Sequence, residues 1–136
     1  MNAYDNSIAY TDHFLGQAIG WLKRQQSRAD TALLYLADHG ESLGENNLYL
    51  HGLPYAMAPD VQKRVPWVTW LSPGYQKTSA LSLACIRNQR DVAISHDNYF
   101  HSVLGLMDVQ TAAYRESLDA YAPCRRGKDA QALAIN

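Results

Sequence analysis

Apolar residues recur at helical spacing over the first part of the chain. Four of them share one face of a helix: Ile8, Leu15, Ile19 and Leu22. A basic and polar stretch, "KRQQSR", follows the last of them and suits the final turn of a helix. The pattern predicts an amphipathic helix over residues 6–26.

Two further stretches predict strands. Residues 31–37, "TALLYLA", form an apolar run without polar alternation, which is typical of a strand covered on both faces in a parallel sheet flanked by helices. Residues 65–72, "VPWVTWLS", suit a second strand, with Pro66 at its start, where a missing N–H is tolerated. A helix, a buried strand, a long loop and a second strand together indicate an α/β fold.

The rest of the chain is patterned less evenly. "SPGY" predicts a turn, and residues 76–90 show only a weak helical pattern. A clearer helix follows Ser95 as N-cap, and its apolar residues are expected in the core: Phe100, Val103, Leu104 and Met107. Residues 125–136 are small, polar and unpatterned, which predicts a flexible tail after a folded part that spans residues 1–124.

Composition narrows the class of protein. The 136 residues are enough for one domain or part of one, and 47% of them are apolar, as in a protein that buries a core. A formal net charge of -1 gives no reason to expect nucleic acid as a partner. No stretch approaches the roughly 20 apolar residues of a membrane helix. Cys85 and Cys124 stand too far apart in sequence for a metal knuckle, and they are either free thiols or one disulfide.

Candidate chemistry follows the first predicted strand directly. Asp38 and His39 come after its last residue, and open α/β sheets bind ligands beyond the carboxyl ends of their strands. A carboxylate and an imidazole are both zinc ligands, and Gly40 permits a sharp turn that brings adjacent residues to one ion. Two ligands do not complete a zinc site, so further ligands are required. The alternative is a buried strand followed by an acidic, solvated turn.

Two other side chains of this segment carry possible chemistry. His51 returns in a loop rich in glycine and proline, where a histidine can bind an anionic phosphate or carry a proton. It can equally be an ordinary surface histidine. Glu45 is expected to be a solvated residue of the turn with no role in a site.

Three segments resemble a known family. They are "YDNSIAYTD", "LADHGESLGENNLYLHGLPYAMAPDVQKRVP" and "SHDNYFHSVLGLMDV". Together they resemble the C-terminal part of the bacterial phosphoethanolamine transferases that modify lipid A. A bare "DHG" after a strand is similar only to the wider alkaline phosphatase and sulfatase superfamily, whereas the longer string is specific to the transferases. The resemblance implies an alkaline-phosphatase/sulfatase-like sandwich with a mostly parallel sheet between helices.

The resemblance implies roles for individual residues. Asp38 and His39 match the family's paired zinc ligands, and His51 matches a histidine that contacts substrate and assists catalysis. Glu41 belongs to the same string, and we expect no more of it than orienting a neighbouring residue. The reaction implied is a zinc-dependent transfer of phosphoethanolamine from phosphatidylethanolamine to lipid A, through a threonine nucleophile.

The resemblance also implies what lies outside this chain. The family's membrane helices, its catalytic threonine and a glutamate ligand precede the matching part, so we expect the chain to be inactive by itself. The parent protein is expected at the periplasmic face of the inner membrane. In that oxidising compartment a disulfide between Cys85 and Cys124 is favoured over free thiols. Two alternatives stay open: a related hydrolase of phosphate or sulfate esters, and a small inactive zinc-binding module.

Overall fold

The computed structural model describes residues 2–125, which divide into two compact units between Trp70 and Leu71. The first unit holds one long helix, four strands and a short helix. In chain order these are α1 (Asn2–Arg24), β1 (Ala32–Leu36), β2 (Ser42–Leu43), β3 (Tyr49–Leu50), α2 (Asp60–Lys63) and β4 (Trp67–Leu71), the last of which runs one residue past the boundary. The described part of the second unit holds three α-helices: α3 (Pro73–Thr78), α4 (Leu83–Asn88) and α5 (Asp97–Leu106). Two short 3-10 helices follow them, at Glu116–Leu118 and Ala122–Cys124.

The predicted first helix and both predicted strands are confirmed, with shifted ends. Helix α1 begins four residues earlier than residue 6 and ends at Arg24. Strands β1 and β4 are neighbours in a two-stranded sheet. All five residues of β1 are only half-buried, so the described residues do not cover the strand on both faces as its apolar run predicts.

A small hairpin separates β1 from β4 in the chain. Strands β2 and β3 are antiparallel, with Ser42 opposite Leu50 and Leu43 opposite Tyr49. The turn between them requires left-handed backbone, which Gly44 adopts at φ 125° without steric cost. The sequence gives no alternating pattern here, and the predicted long loop is therefore partly wrong.

Short helices follow β4 where the sequence predicts a turn. The "SPGY" segment begins α3, because the Ser72 hydroxyl accepts a hydrogen bond from the Tyr75 N–H and Pro73 occupies the first helical position. The weak pattern over residues 76–90 corresponds to two helices rather than one. Ala80, at φ 55°, interrupts the helical backbone between them. The Ser82 hydroxyl caps α4 by accepting a hydrogen bond from the Cys85 N–H.

Helix α5 buries a polar face, which the apolar pattern does not predict. Phe100 and Met107 are 54% and 68% exposed, so their predicted place in the core is wrong within the described residues. The side chains that hold the following segment are polar: Asn98 donates to the Leu118 carbonyl, and Ser102 accepts from the Ala120 N–H at 2.9 Å. His101, also buried, accepts from a backbone N–H at residue 115. Hydrogen bonds to an irregular segment therefore decide which face is covered.

Asp119 is the centre of this packing. Its side chain is 0% exposed and is neutralised by the Arg125 guanidinium at 3.1 Å. The Tyr114 hydroxyl donates to the same carboxylate, and burial together with this hydrogen bond raises the pKa of Tyr114 to about 12. Any side chain at Gly105 would have its Cβ 2.0 Å from Asp119 Oδ2, so only glycine fits there.

A disulfide joins Cys85 and Cys124, as the resemblance favours. The bond places Cys124 next to α4, and Leu81, which precedes that helix, forms a β-bridge with Arg125. Arg125, with which the predicted tail begins, is thus held on both its backbone and its side chain. Residues 126–136 of that predicted tail lie outside the described residues. Across residues 2–125, no helix is both long and apolar enough to cross a bilayer.

Replacing Cys85 and Cys124 together by serine is expected to lower the free energy of unfolding by about 4 kcal/mol. The bond closes a loop between residues 39 positions apart, and without it the unfolded chain gains conformational freedom. Urea unfolding followed by tryptophan fluorescence measures the change. Wild-type protein in reductant is the control and should match the double variant, and equal thiol titres in native and reduced protein would contradict the bond.

Candidate metal centre

Asp38 stands directly beyond β1, with its carboxylate in solvent. The side chain is 88% exposed. Its Oδ1 accepts a hydrogen bond from the His39 N–H at 3.0 Å, and this backbone contact is the main reason that the pKa of Asp38 lies below its ordinary value. The carboxylate is therefore ionised at neutral pH, which is the form that binds a cation.

His39 is held in the tautomer that leaves Nε2 free. Its Nδ1 lies 3.1 Å from the Gly40 carbonyl, and a carbonyl only accepts, so Nδ1 carries the proton in this hydrogen bond. Nε2 then has a lone pair and lies 3.6 Å from Asp38 Oδ2. Two ligand atoms about 2.05 Å from a tetrahedral zinc are separated by about 3.4 Å. The two atoms thus stand close to the spacing that one shared ion requires.

The β2–β3 hairpin adds two more groups. Its register makes Glu41 and His51 the next pair beyond Ser42 and Leu50, and His51 Nδ1 lies 2.7 Å from Glu41 Oε1. The His51 ring also contacts the His39 ring, with centroids 3.7 Å apart. The sequence-predicted residues His39 and His51 are therefore brought together, and Glu41 contacts His51.

Ligand atoms of His39, Glu41 and His51 all lie within 4.8 Å of one another, a grouping that can hold a metal ion. Glu41 Oε2 is buried and has no hydrogen-bond partner among the described residues. A buried carboxylate oxygen without a donor is costly, and a cation offsets that cost. Asp38 lies beside this group rather than within it, and the donor set of carboxylates and imidazoles suits a divalent metal ion.

Gly40 and Gln62 hold the loop in place. A Cβ on Gly40 would lie 2.0 Å from the Val61 carbonyl oxygen, so the position accepts only glycine. The φ of Gly40 is not positive, so the close approach of the Val61 carbonyl, rather than left-handed backbone, is what requires glycine here. The Gly40 N–H donates to the Gln62 carbonyl at 3.0 Å.

The side chain of Gln62 was not identified from the sequence. It is 7% exposed and donates from Nε2 to Ser42 Oγ at 2.8 Å and to the Leu50 carbonyl at 3.1 Å. One amide group thus joins both strands of the hairpin. A glutamine in the polar run "DVQKR" is typical of an exposed helix face, so no local pattern marks it as buried.

Glu45 lies outside the group of three, in the hairpin turn. Its Oε2 accepts from the Leu43 N–H at 2.7 Å. Hydrogen bonds from backbone N–H groups hold the pKa of Glu45 below its ordinary value. Glu45 therefore stabilises the turn in its ionised form.

Comparison with solved structures identifies the fold. The soluble domain of lipooligosaccharide phosphoethanolamine transferase A from Neisseria meningitidis superposes with a TM-score of 0.86 at 40% identity, over 91% of this chain and 37% of that domain. The integral membrane form of the same protein superposes equally well, and the chain covers 23% of it. The predicted α/β fold of sulfatase type is confirmed.

Sequence comparison agrees. Phosphoethanolamine transferase EptA of Salmonella typhimurium is 48% identical over 127 residues, which are 93% of this chain and 23% of the transferase. The chain therefore spans about a quarter of the length of this relative. The family model described as Sulfatase matches residues 1–109. The resemblance to phosphoethanolamine transferases is confirmed, and the chain belongs to the sulfatase family.

Proposed function

We propose that residues 1–124 form the C-terminal portion of the catalytic domain of a zinc-dependent transferase that moves phosphoethanolamine from phosphatidylethanolamine to lipid A. The observation that carries the proposal is the convergence of His39, Glu41 and His51 beside Asp38, on a segment that aligns with phosphoethanolamine transferases at 48% identity. The resemblance seen in the sequence assigns the metal to Asp38 and His39 and the substrate to His51.

Asp38 and His39 would hold the zinc ion. Asp38 is ionised and exposed, and His39 directs its unprotonated Nε2 toward the same space. Bound zinc lowers the pKa of a coordinated nucleophile and offsets negative charge on phosphoryl oxygens. The hydrogen bond from His39 Nδ1 to Gly40 fixes the imidazole ring, as partners behind metal ligands do in other zinc sites.

His51 would act on the phosphoryl group as a catalytic residue. Its ring is half-exposed, with 48% of the side chain accessible, and Nδ1 is occupied by Glu41. Nε2 is thus the atom that can meet substrate. A neutral imidazole accepts a proton there from a nucleophile, and a protonated one donates a hydrogen bond to a phosphoryl oxygen or a proton to a leaving group.

The remaining parts of the reaction are proposals about the whole protein. The Salmonella relative is about four times longer than this chain. A threonine nucleophile and a glutamate ligand are expected outside this chain. The parent protein would be anchored by membrane helices at the periplasmic face of the inner membrane. The integral membrane form of the Neisseria relative and the disulfide of this chain support that location.

A hydrolase acting on phosphate or sulfate esters is the second candidate, because the matching family model is that of sulfatases. The two activities differ in the acceptor. Water as the only acceptor of the phosphoryl or sulfuryl group would favour the hydrolase, whereas mass gain on lipid A favours the transferase.

Asp38→Ala and His39→Ala are each expected to remove bound zinc and to lower transfer at least about 100-fold. A suitable enzyme is the Salmonella transferase with residues 2–125 of this chain in place of its homologous segment. Zinc is measured by mass spectrometry of the purified protein, and transfer by the mass of lipid A. Glu116→Ala, an exposed carboxylate distant in sequence, is the matched control and should retain both. A His39→Ala enzyme that keeps zinc and activity would contradict the assignment.

His51→Ala is expected to separate chemistry from metal binding. Transfer should fall about 10²- to 10⁴-fold while zinc content stays at the level of the unmodified enzyme, because the imidazole acts on substrate rather than on the ion. The same chimeric enzyme and the same two measurements apply. Loss of zinc together with activity would instead identify His51 as a ligand.

A further inference from the structure

The hairpin places one carboxylate oxygen directly on the ring nitrogen of His51. Ser42 faces Leu50 in the antiparallel register, so Glu41 and His51 flank that pair at the open end of the hairpin. Glu41 Oε1 and His51 Nδ1 are 2.7 Å apart, and the Glu41 side chain is 23% exposed. This distance is typical of a charge-assisted hydrogen bond.

The same distance decides the role of Glu41 Oε1, whereas Oε2 is the oxygen without a hydrogen-bond partner among the described residues. Two ligands of one zinc ion stand about 3 Å apart or more, because each lies about 2 Å from the metal at a wide angle. At 2.7 Å the two atoms share a proton rather than an ion. Since an ionised carboxylate only accepts, the proton belongs to His51 Nδ1, and in the neutral ring Nε2 keeps its lone pair.

The backbone around His51 supports this geometry. Leu50 has φ 63° and Gly52 has φ 106°, so the chain turns sharply on both sides of the histidine. A leucine in that conformation is strained and persists only where the surroundings hold it. The Gln62 amide does so, since it donates to the Leu50 carbonyl and to the Ser42 hydroxyl.

We propose that Glu41 is a positioning residue for His51, which it fixes in the Nδ1–H tautomer with Nε2 presented to the substrate, and that Gln62 holds the hairpin in the register this contact requires. The catalytic part of this inference rests on the proposed function of His51. The assignment of the tautomer does not rest on that proposed function, because it follows from the Glu41 contact alone. Glu41 acts through the histidine and does not touch the reacting atoms.

The tautomer is tested on the 136-residue chain itself. Long-range ¹H–¹⁵N correlation spectra of the imidazole side chains, recorded on metal-free protein at a pH where His51 is neutral, distinguish a protonated from an unprotonated ring nitrogen. The expected result is Nδ1–H in the wild type and in Glu41→Gln, whose amide oxygen still accepts. Glu41→Ala should shift His51 toward the Nε2–H form, which free imidazole side chains prefer.

Two results would overturn the assignment: a wild-type His51 protonated at Nε2, or a tautomer that Glu41→Ala leaves unchanged. Glu41→Leu fills the same space without an acceptor, and it replaces the alanine variant if that variant does not fold. Gln62→Leu removes the hydrogen bonds from the Gln62 amide to Ser42 and Leu50, and it should also shift the His51 tautomer. An unshifted tautomer in a folded Gln62→Leu protein would refute the role given to Gln62.

The functional consequence is tested in the chimeric transferase. Glu41→Ala should lower kcat about 10- to 100-fold with KM changed less than about twofold and zinc content unchanged, whereas Glu41→Gln should recover most of kcat. In a His51→Ala background, Glu41→Ala should add less than about a twofold loss, because the residue acts only through His51. Independent losses, or loss of zinc in Glu41→Ala, would refute positioning and favour a ligand role.

Failure of the proposed function gives a different pattern. A His51→Ala chimera with full transfer would refute the catalytic role of His51, and the spectra of the metal-free chain would still decide whether Glu41 fixes its tautomer. If Glu41→Ala shifts the tautomer without changing kcat, the contact between Glu41 and His51 stands, but it is not important for transfer.

Discussion

The site depends on one buried amide. Gln62 donates to both strands of the hairpin while its backbone carbonyl accepts from Gly40, so a single residue joins the loop after β1 to β2 and β3. Leaving such a buried group unpaired costs about 1–3 kcal/mol, which is large for a hairpin whose strands are two residues each. This amide therefore adds to the strand pairing and to the Glu45 contact in fixing the register that places Glu41 opposite His51.

The two histidines of the site share one arrangement. In each, Nδ1 is engaged by an oxygen acceptor, a carbonyl for His39 and a carboxylate for His51. In each, Nε2 is left for an external partner. Their rings are in contact, so both free nitrogens belong to one small region. The acceptors differ in charge, since the Gly40 carbonyl is neutral and the Glu41 side chain is a carboxylate.

The second unit depends on a buried ion pair between Asp119 and Arg125. Asp119 is fully buried as a charge, and the cost of that burial is offset by the Arg125 guanidinium, the Tyr114 hydroxyl and a backbone N–H. Arg125 follows directly after the disulfide-bonded Cys124, which limits how far the guanidinium can move from the carboxylate. The polar face of α5 packs here, and apolar residues such as Phe100 are left exposed within the described residues. The chain covers only 37% of the solved Neisseria soluble domain.

Local patterns determined a substantial part of this protein. The spacing of apolar residues predicted the main elements, because burial of apolar side chains dictates their periodicity. These elements are the helix over residues 6–26 and the strands at Ala32–Leu36 and Trp67–Leu71. The abrupt change from the first run to Asp38 and His39 marked the start of the site. The physical pattern made His51 a candidate, and the motif resemblance specified the family and favoured a substrate role for His51 over that of an ordinary surface histidine.

Tertiary structure decided the rest. The hairpin register that joins Glu41 to His51 depends on hydrogen bonds from Gln62, twelve and twenty residues away from its partners, and no local propensity encodes contacts at that separation. The same is true of α5, where backbone groups of residues 115–120 selected the polar face. Sequence periodicity reports which residues are apolar, whereas hydrogen-bonding partners depend on how distant segments meet.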